Sequence, residues 1–131
     1  MHVSHQKVTV VFAWSMPNSL ALKLKYSTPE KRMLTFNNDK RCSDEGFNRI
    51  LADAGFYVKP KNREQESIVR LACCRCPLEL RMLGQSFDPD REHARWFPTC
   101  AHVIHRMGIE FIHSVLEDTR KQQEHDDGVE N

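Results

Sequence analysis

No run of apolar residues in this chain approaches the roughly 20 that a helix needs to cross a bilayer. The longest apolar stretch near the start, Val8 to Trp14, has only Lys7 close before it and no small-residue cleavage pattern after it. A secretory signal is therefore not expected. Charge of one sign is missing too: 19 Lys and Arg stand against 18 Asp and Glu. Without a strong basic field, a generic nucleic-acid or membrane-surface binder is excluded. Glycine is scarce, at five residues, and there is neither an internal repeat nor a low-complexity tract. With 40% hydrophobic and 28% charged residues in 131, the composition is that of one globular domain with short extensions. These features together predict a cytoplasmic protein, with the nucleus as the second compartment.

What the chain does have is cysteine in an unusual place. Of five cysteines, three crowd into Cys73-Cys74-Arg75-Cys76. In a chain without an export signal, adjacent thiols read as metal ligands before they read as disulfides. Cys73 and Cys76 form a C-x2-C pair, and His93 and Cys100 complete C-x2-C-x16-H-x6-C. Three thiolates and one imidazole suit a tetrahedral structural zinc. The competing reading is a set of buried free thiols near an unrelated histidine. A zinc deaminase is excluded, because the cysteine pair precedes the histidine and no H-x-E lies upstream. His102, His105 and His113 read as ordinary helix residues, and Cys42 and Cys74 as structural thiols.

Local patterns give the order of elements. Val8–Trp14 and Leu20–Tyr26 read as strands, the second by its alternation of Leu20, Leu22 and Leu24 with Ala21, Lys23 and Lys25. Met16-Pro17-Asn18-Ser19 between them suits a turn, so a hairpin is predicted. Ser27-Thr28-Pro29-Glu30 opens a helix as a capping box, and Ser43-Asp44-Glu45 opens another over 44–53, closed at Ala54-Gly55. Phe56–Val58 reads as a strand, 59–67 as a polar loop, and 68–76 and 78–83 as strands around a turn at Cys76-Pro77. Helices follow from Asp88-Pro89 to about Arg95, over 99–107, and from Ile109 to about Lys121. The last fifteen residues hold six acidic and two basic side chains, which predicts a flexible tail over 119–131.

Several stretches resemble, in the right order, the baculoviral IAP repeat (BIR) of the inhibitor-of-apoptosis family. Arg32 with Thr35-Phe36 resembles its opening R-x2-T-F, and Leu51 to Tyr57 resembles L-A-x-A-G-F-Y. Cys73, Cys76, Asp88-Pro89 and the run Glu92 to Cys100 follow its signature, while Gly108 with Phe111-Ile112 resembles its closing helix. The resemblance covers about residues 29–118. It implies an α+β fold in which a three-stranded antiparallel sheet is surrounded by short helices, with one structural zinc ion on Cys73, Cys76, His93 and Cys100. The expected organisation is an N-terminal extension over 1–27, a zinc domain over 28–118 and the acidic tail.

The resemblance also implies a function. Repeats of this family are non-enzymatic modules that bind proteins. Many receive a peptide with a free N-terminus, alanine first, such as those on processed caspases or on their antagonists. The peptide adds to the third strand, here Leu78–Leu83, beside a small pocket, and carboxylates capture the terminal amine. Trp96 matches the tryptophan that packs against the peptide, and Glu92 matches a position that helps hold the amine. Leu83 stands where such repeats place another tryptophan, and Phe87 where they place an acidic residue. The alternative is an adaptor or decoy, viral or mitotic, whose altered groove does not take the usual peptides. Neither a second repeat nor a RING is seen in the sequence, so ubiquitin-ligase chemistry within this chain is not expected.

Overall fold

The computed structural model describes residues 8–12, 20–84 and 86–129. Four strands and six helices occur among them: β1 (Val8–Phe12), α1 (Leu20–Lys25), α2 (Pro29–Asn37), α3 (Glu45–Asp53), β2 (Phe56–Val58), β3 (Val69–Cys73), β4 (Leu78–Met82), α4 (Pro89–Trp96), α5 (Ala101–Met107) and α6 (Ile109–Val129). The α+β class is as expected. The sheet is entirely antiparallel with order β1-β4-β3-β2, four strands where three were expected. No helix among the described residues is long and apolar enough to cross a membrane.

The extra strand corrects the expected hairpin. β1 does not pair with residues 20–26; it lies along β4, with Val8 opposite Met82 and Phe12 opposite Leu78. Residues 20–25 form the helix α1 instead. Leucine, alanine and lysine are all strong helix formers, and the segment has no β-branched residue to favour extension. Its alternation was never a buried face, since Leu20 and Leu24 are 72% and 59% exposed. The turn predicted over 16–19 lies outside the described residues.

The other elements begin where local chemistry satisfies free backbone donors. The Thr28 hydroxyl accepts from the Lys31 N–H at 3.2 Å, so the cap of α2 falls one residue after the predicted Ser27. Asp44 accepts from the Phe47 N–H at 3.0 Å to start α3, and Asp88 accepts from the Asp90 and Arg91 N–H groups to start α4. α6 runs to Val129, past the end predicted near Lys121. Its sequence offers no proline to stop it, and Arg120 pairs with Glu117 and Glu124 on the exposed surface.

Phe36, Leu51, Phe56, Leu71, Leu80 and Val103 form the centre of one core between the sheet and the helices. Leu71 and Leu80 are cross-strand partners, and Val10 of β1 extends the same row onto the core. The opposite face is polar. Glu79 is buried there, with the Lys59 ammonium at 2.9 Å and the Arg70 guanidinium at 3.7 Å. Beside it Tyr26 stacks on Tyr57 with ring centres 3.7 Å apart, above Ala72 and Cys74.

Arg32 explains the opening motif physically. It is a buried cation whose guanidinium donates to the Ala52 carbonyl at 2.7 Å, the Tyr26 carbonyl at 2.8 Å and the Cys74 sulfur at 3.5 Å. The Ala52 carbonyl lies in the last turn of α3, the negative end of that helix. Thr35, three residues on, donates to the Arg32 carbonyl and accepts from the Val58 N–H at 2.9 Å. One turn of α2 is thereby stitched to both α3 and β2.

Candidate metal centre and the neighbouring residues

The metal-binding residues come from four places. Cys73 ends β3, Cys76 sits in the turn before β4, His93 lies on α4, and Cys100 is the cap residue before α5. All four are buried, and their ligand atoms lie within 4.8 Å of one another. A tetrahedral zinc ion with metal–sulfur bonds of about 2.3 Å and a metal–nitrogen bond of about 2.0 Å spaces its ligand atoms about 3.5–3.8 Å apart. The Cys73 and Cys100 sulfurs are 3.7 Å apart, and the Cys76 sulfur lies 3.4 Å from His93 Nε2. The four residues fit one structural zinc ion.

Surrounding groups orient these ligands. His93 Nδ1 lies 2.9 Å from the Ala54 carbonyl, so it carries the proton and leaves Nε2 free for the metal. The Phe56 ring packs on the imidazole at 4.7 Å, and the Arg75 N–H donates to the Cys73 sulfur at 3.2 Å. Three sulfurs this close compete for charge. Burial raises the Cys73 thiol, and hydrogen bonding to Cys100 pushes Cys76 up to about 12. Hydrogen bonds from Cys73 and Cys76 hold Cys100 far down. A dication among the three sulfurs favours the ionised form of each.

A second ring of support was not legible in the sequence. Gly55 has φ +103°, and a Cβ placed there would lie 2.8 Å from the His102 ring. His102 Nε2 is 3.0 Å from the Asp53 carbonyl. His102 lies outside the Cys73, Cys76, His93 and Cys100 set and braces the α3–β2 turn under His93. Cys42 and Cys74 are buried outside the ligand set.

Of the residues singled out for peptide binding, Leu83 directly follows β4, Phe87 lies shortly before α4, and Glu92 and Trp96 are on α4. Glu92 accepts a hydrogen bond from the Trp96 indole at 3.0 Å, one helical turn away, and the Arg95 guanidinium covers the Trp96 ring at 4.8 Å. Leu83, the residue after β4, is 51% exposed. Phe87 does not face open solvent: its ring meets Phe47 of α3 edge to face at 5.3 Å and packs on the core. Asp88, its neighbour, is committed to capping α4.

The family model of the inhibitor of apoptosis domain, BIR, matches residues 32–104, more than half of the chain. The chain belongs to the BIR family. Relatives agree. Death-associated inhibitor of apoptosis 2 of Drosophila melanogaster is 31% identical over 103 residues, 79% of this chain and 19% of that protein. Baculoviral IAP repeat-containing protein 7-B of Xenopus laevis is 36% identical over 72 residues, 55% of this chain and 19% of the relative. An inhibitor of apoptosis protein of Gallus gallus is 38% identical over 65 residues, half of this chain and 10% of the relative. The BIR chain thus spans a fifth or less of the length of these relatives. Its zinc site and its Arg32–Thr35 stitch both fall inside the matched segment, whereas β1 falls outside it.

Proposed function

We propose that this BIR domain is a non-enzymatic protein-interaction module in the control of apoptosis, acting through caspases or through the antagonists that carry free N-terminal peptides. The observation that carries the reading is the closed metal set. Four buried protein ligands fill the positions of a tetrahedral ion, which makes the ion part of the scaffold and leaves the surface around it to do the work. That surface is the outer side of β4 with Leu83, Trp96 and Glu92. Trp96 supplies a large amphipathic ring and Glu92 a carboxylate, the two features that packing and amine capture require. The names of the relatives, inhibitors of apoptosis in insect and vertebrate, support the same assignment.

A second reading is favoured by a specific observation. Phe87 stands where an amine-binding acid is expected, and its ring is packed on Phe47. A terminal ammonium there would meet Glu92 alone, and that carboxylate already accepts from Trp96. An adaptor or decoy that engages other surfaces fits this arrangement. The test is titration of the purified chain, and of Trp96→Ala, against processed caspases and against an Ala-initiated tetrapeptide. Binding to either that Trp96→Ala weakens by about tenfold or more supports the first reading. Absence of binding to both assigns the chain to the second.

A further inference from the structure

β4 has two edges, and both are occupied: β3 takes one and β1 the other. A strand edge offers a single row of backbone N–H and C=O groups, so two chains cannot pair with it at once. The peptide reading above requires that same outer edge. β1 covers it along its whole length, since Val8, Thr9, Val10, Val11 and Phe12 stand opposite Met82, Arg81, Leu80, Glu79 and Leu78. Its hold is modest. The segment carries no charge to make an ion pair, Thr9 is exposed, and Val10 is only partly buried on the core.

A second observation concerns the Met82 end of β4. Val8, at the Met82 end of β4, is joined to Lys7 by a peptide bond and brings a neutral group there, not an ammonium. Leu83 and Phe87 follow Met82 in sequence, and neither offers a charge. The Val8 backbone nitrogen is an amide and not a terminal amine, and no carboxylate stands at 87 to receive one.

Resting on the strand-addition reading, we propose that β1 is a tethered competitor for the β4 edge. A peptide partner binds β4 only when β1 leaves, and the edge is suited to an internal extended segment with a run of β-branched residues, not to a free N-terminus. β1 is the pattern for that partner. Release of β1 therefore sets the affinity of the site, because only the fraction of molecules with an open edge is competent to bind.

The experiment uses the full chain and two single variants, Thr9→Pro and Val10→Pro. Consecutive N–H groups of an edge strand point alternately toward its neighbour and away from it. One of the two prolines therefore deletes a bond to β4 and the other does not. Zinc content and near-ultraviolet dichroism check that each variant keeps its core, to which β1 supplies no ligand. Amide hydrogen exchange along Leu78–Met82 reads the edge directly. The releasing variant is expected to exchange alternate β4 amides about tenfold faster, leaving those bonded to β3 protected. That variant alone is expected to bind an N-acetylated, fluorescein-labelled peptide of residues 5–14.

Equal β4 exchange in all three chains overturns the proposal and leaves the reading of the BIR domain as a binding module standing. So does wild-type chain that binds the free-amine tetrapeptide while the β1 amides bonded to β4 stay protected. A released variant that binds only the free amine overturns the internal-segment assignment. An opened β4 that binds neither peptide overturns strand addition itself, and with it the peptide form of the proposed function.

Discussion

The zinc end of this domain and the outer edge of its sheet are built in opposite ways. At the zinc end, residues from β3, a turn, α4 and the cap of α5 converge within a few ångströms, every ligand is buried, and Cys73 and His93 each have a further backbone partner. At the edge, five residues of β1 lie on β4 through backbone pairing, with Val10 as the partly buried side chain among those described. The first arrangement has one solution. The second is a contact that another strand can replace. A small domain divides its work in this way: rigidity concentrated at an ion, and exchangeable pairing where a partner is met.

The difference is broken most severely at the metal. His93→Ala or Cys100→Ala is expected to abolish stoichiometric zinc and collapse the amide dispersion of the NMR spectrum. Zinc binding in small domains is worth about 10–16 kcal/mol, comparable to the entire stability of about 5–15 kcal/mol for a folded domain. A variant with full zinc content and unchanged melting would sink the structural assignment. Because protons compete for the thiolates and the imidazole, zinc release should also occur on acidification, with metal affinity rising as pH rises.

Gly55→Ala tests the support beneath the ligands. The positive φ and the His102 ring both oppose a Cβ, so a loss of about 2–4 kcal/mol is expected. Urea denaturation measures it, and a loss below about 0.5 kcal/mol would show that His102 simply moves aside.

Between the two regions, Arg41 clamps Asp39 at 2.6 Å and also donates to the Ile68 carbonyl at the start of β3. Its hydrogen bond holds the Asp39 carboxyl below the ordinary value. That stabilisation is complete above the unfolded value of about 3.9 and is lost as pH falls through the depressed folded one. Asp39→Asn should cost about 1–2 kcal/mol at neutral pH. The wild-type and variant stability curves should converge in strong acid, and parallel curves down to that limit would refute the coupling.

The smallest global effect is expected at the edge. Whichever of Thr9→Pro and Val10→Pro frees β1 should lower the unfolding free energy by about 1 kcal/mol or less, although it opens β4. A loss as large as that of Gly55→Ala would mean that β1 belongs to the core, and the comparison would fail.

The same contrast governs what could be read from the sequence. The ligand set was legible because the spacing of Cys73, Cys76, His93 and Cys100 is itself the chemical signal. The starts of α3 and α4 were legible because Asp44 and Asp88 act on neighbours two or three residues away. The segment 20–25 was misread because alternation and helix propensity point opposite ways, and no burial decides between them. The partner of β1 was hidden because pairing with β4 is a long-range choice that leaves no local mark. The brace of His102 on Asp53 was equally hidden, since a backbone carbonyl carries no residue identity.

The order β1-β4-β3-β2 also sets a timetable. β1 is synthesised before β4, and the whole of α2, α3, β2 and β3 must be made before its partner exists. A chain leaving the ribosome therefore carries Val8–Phe12 as an unpaired apolar strand while the rest of the domain assembles. Closing so long a loop comes late, after the local turns have formed. During that interval β1 waits for its partner, and any sheet edge that reaches it sooner, including the β4 of another nascent copy, can claim it.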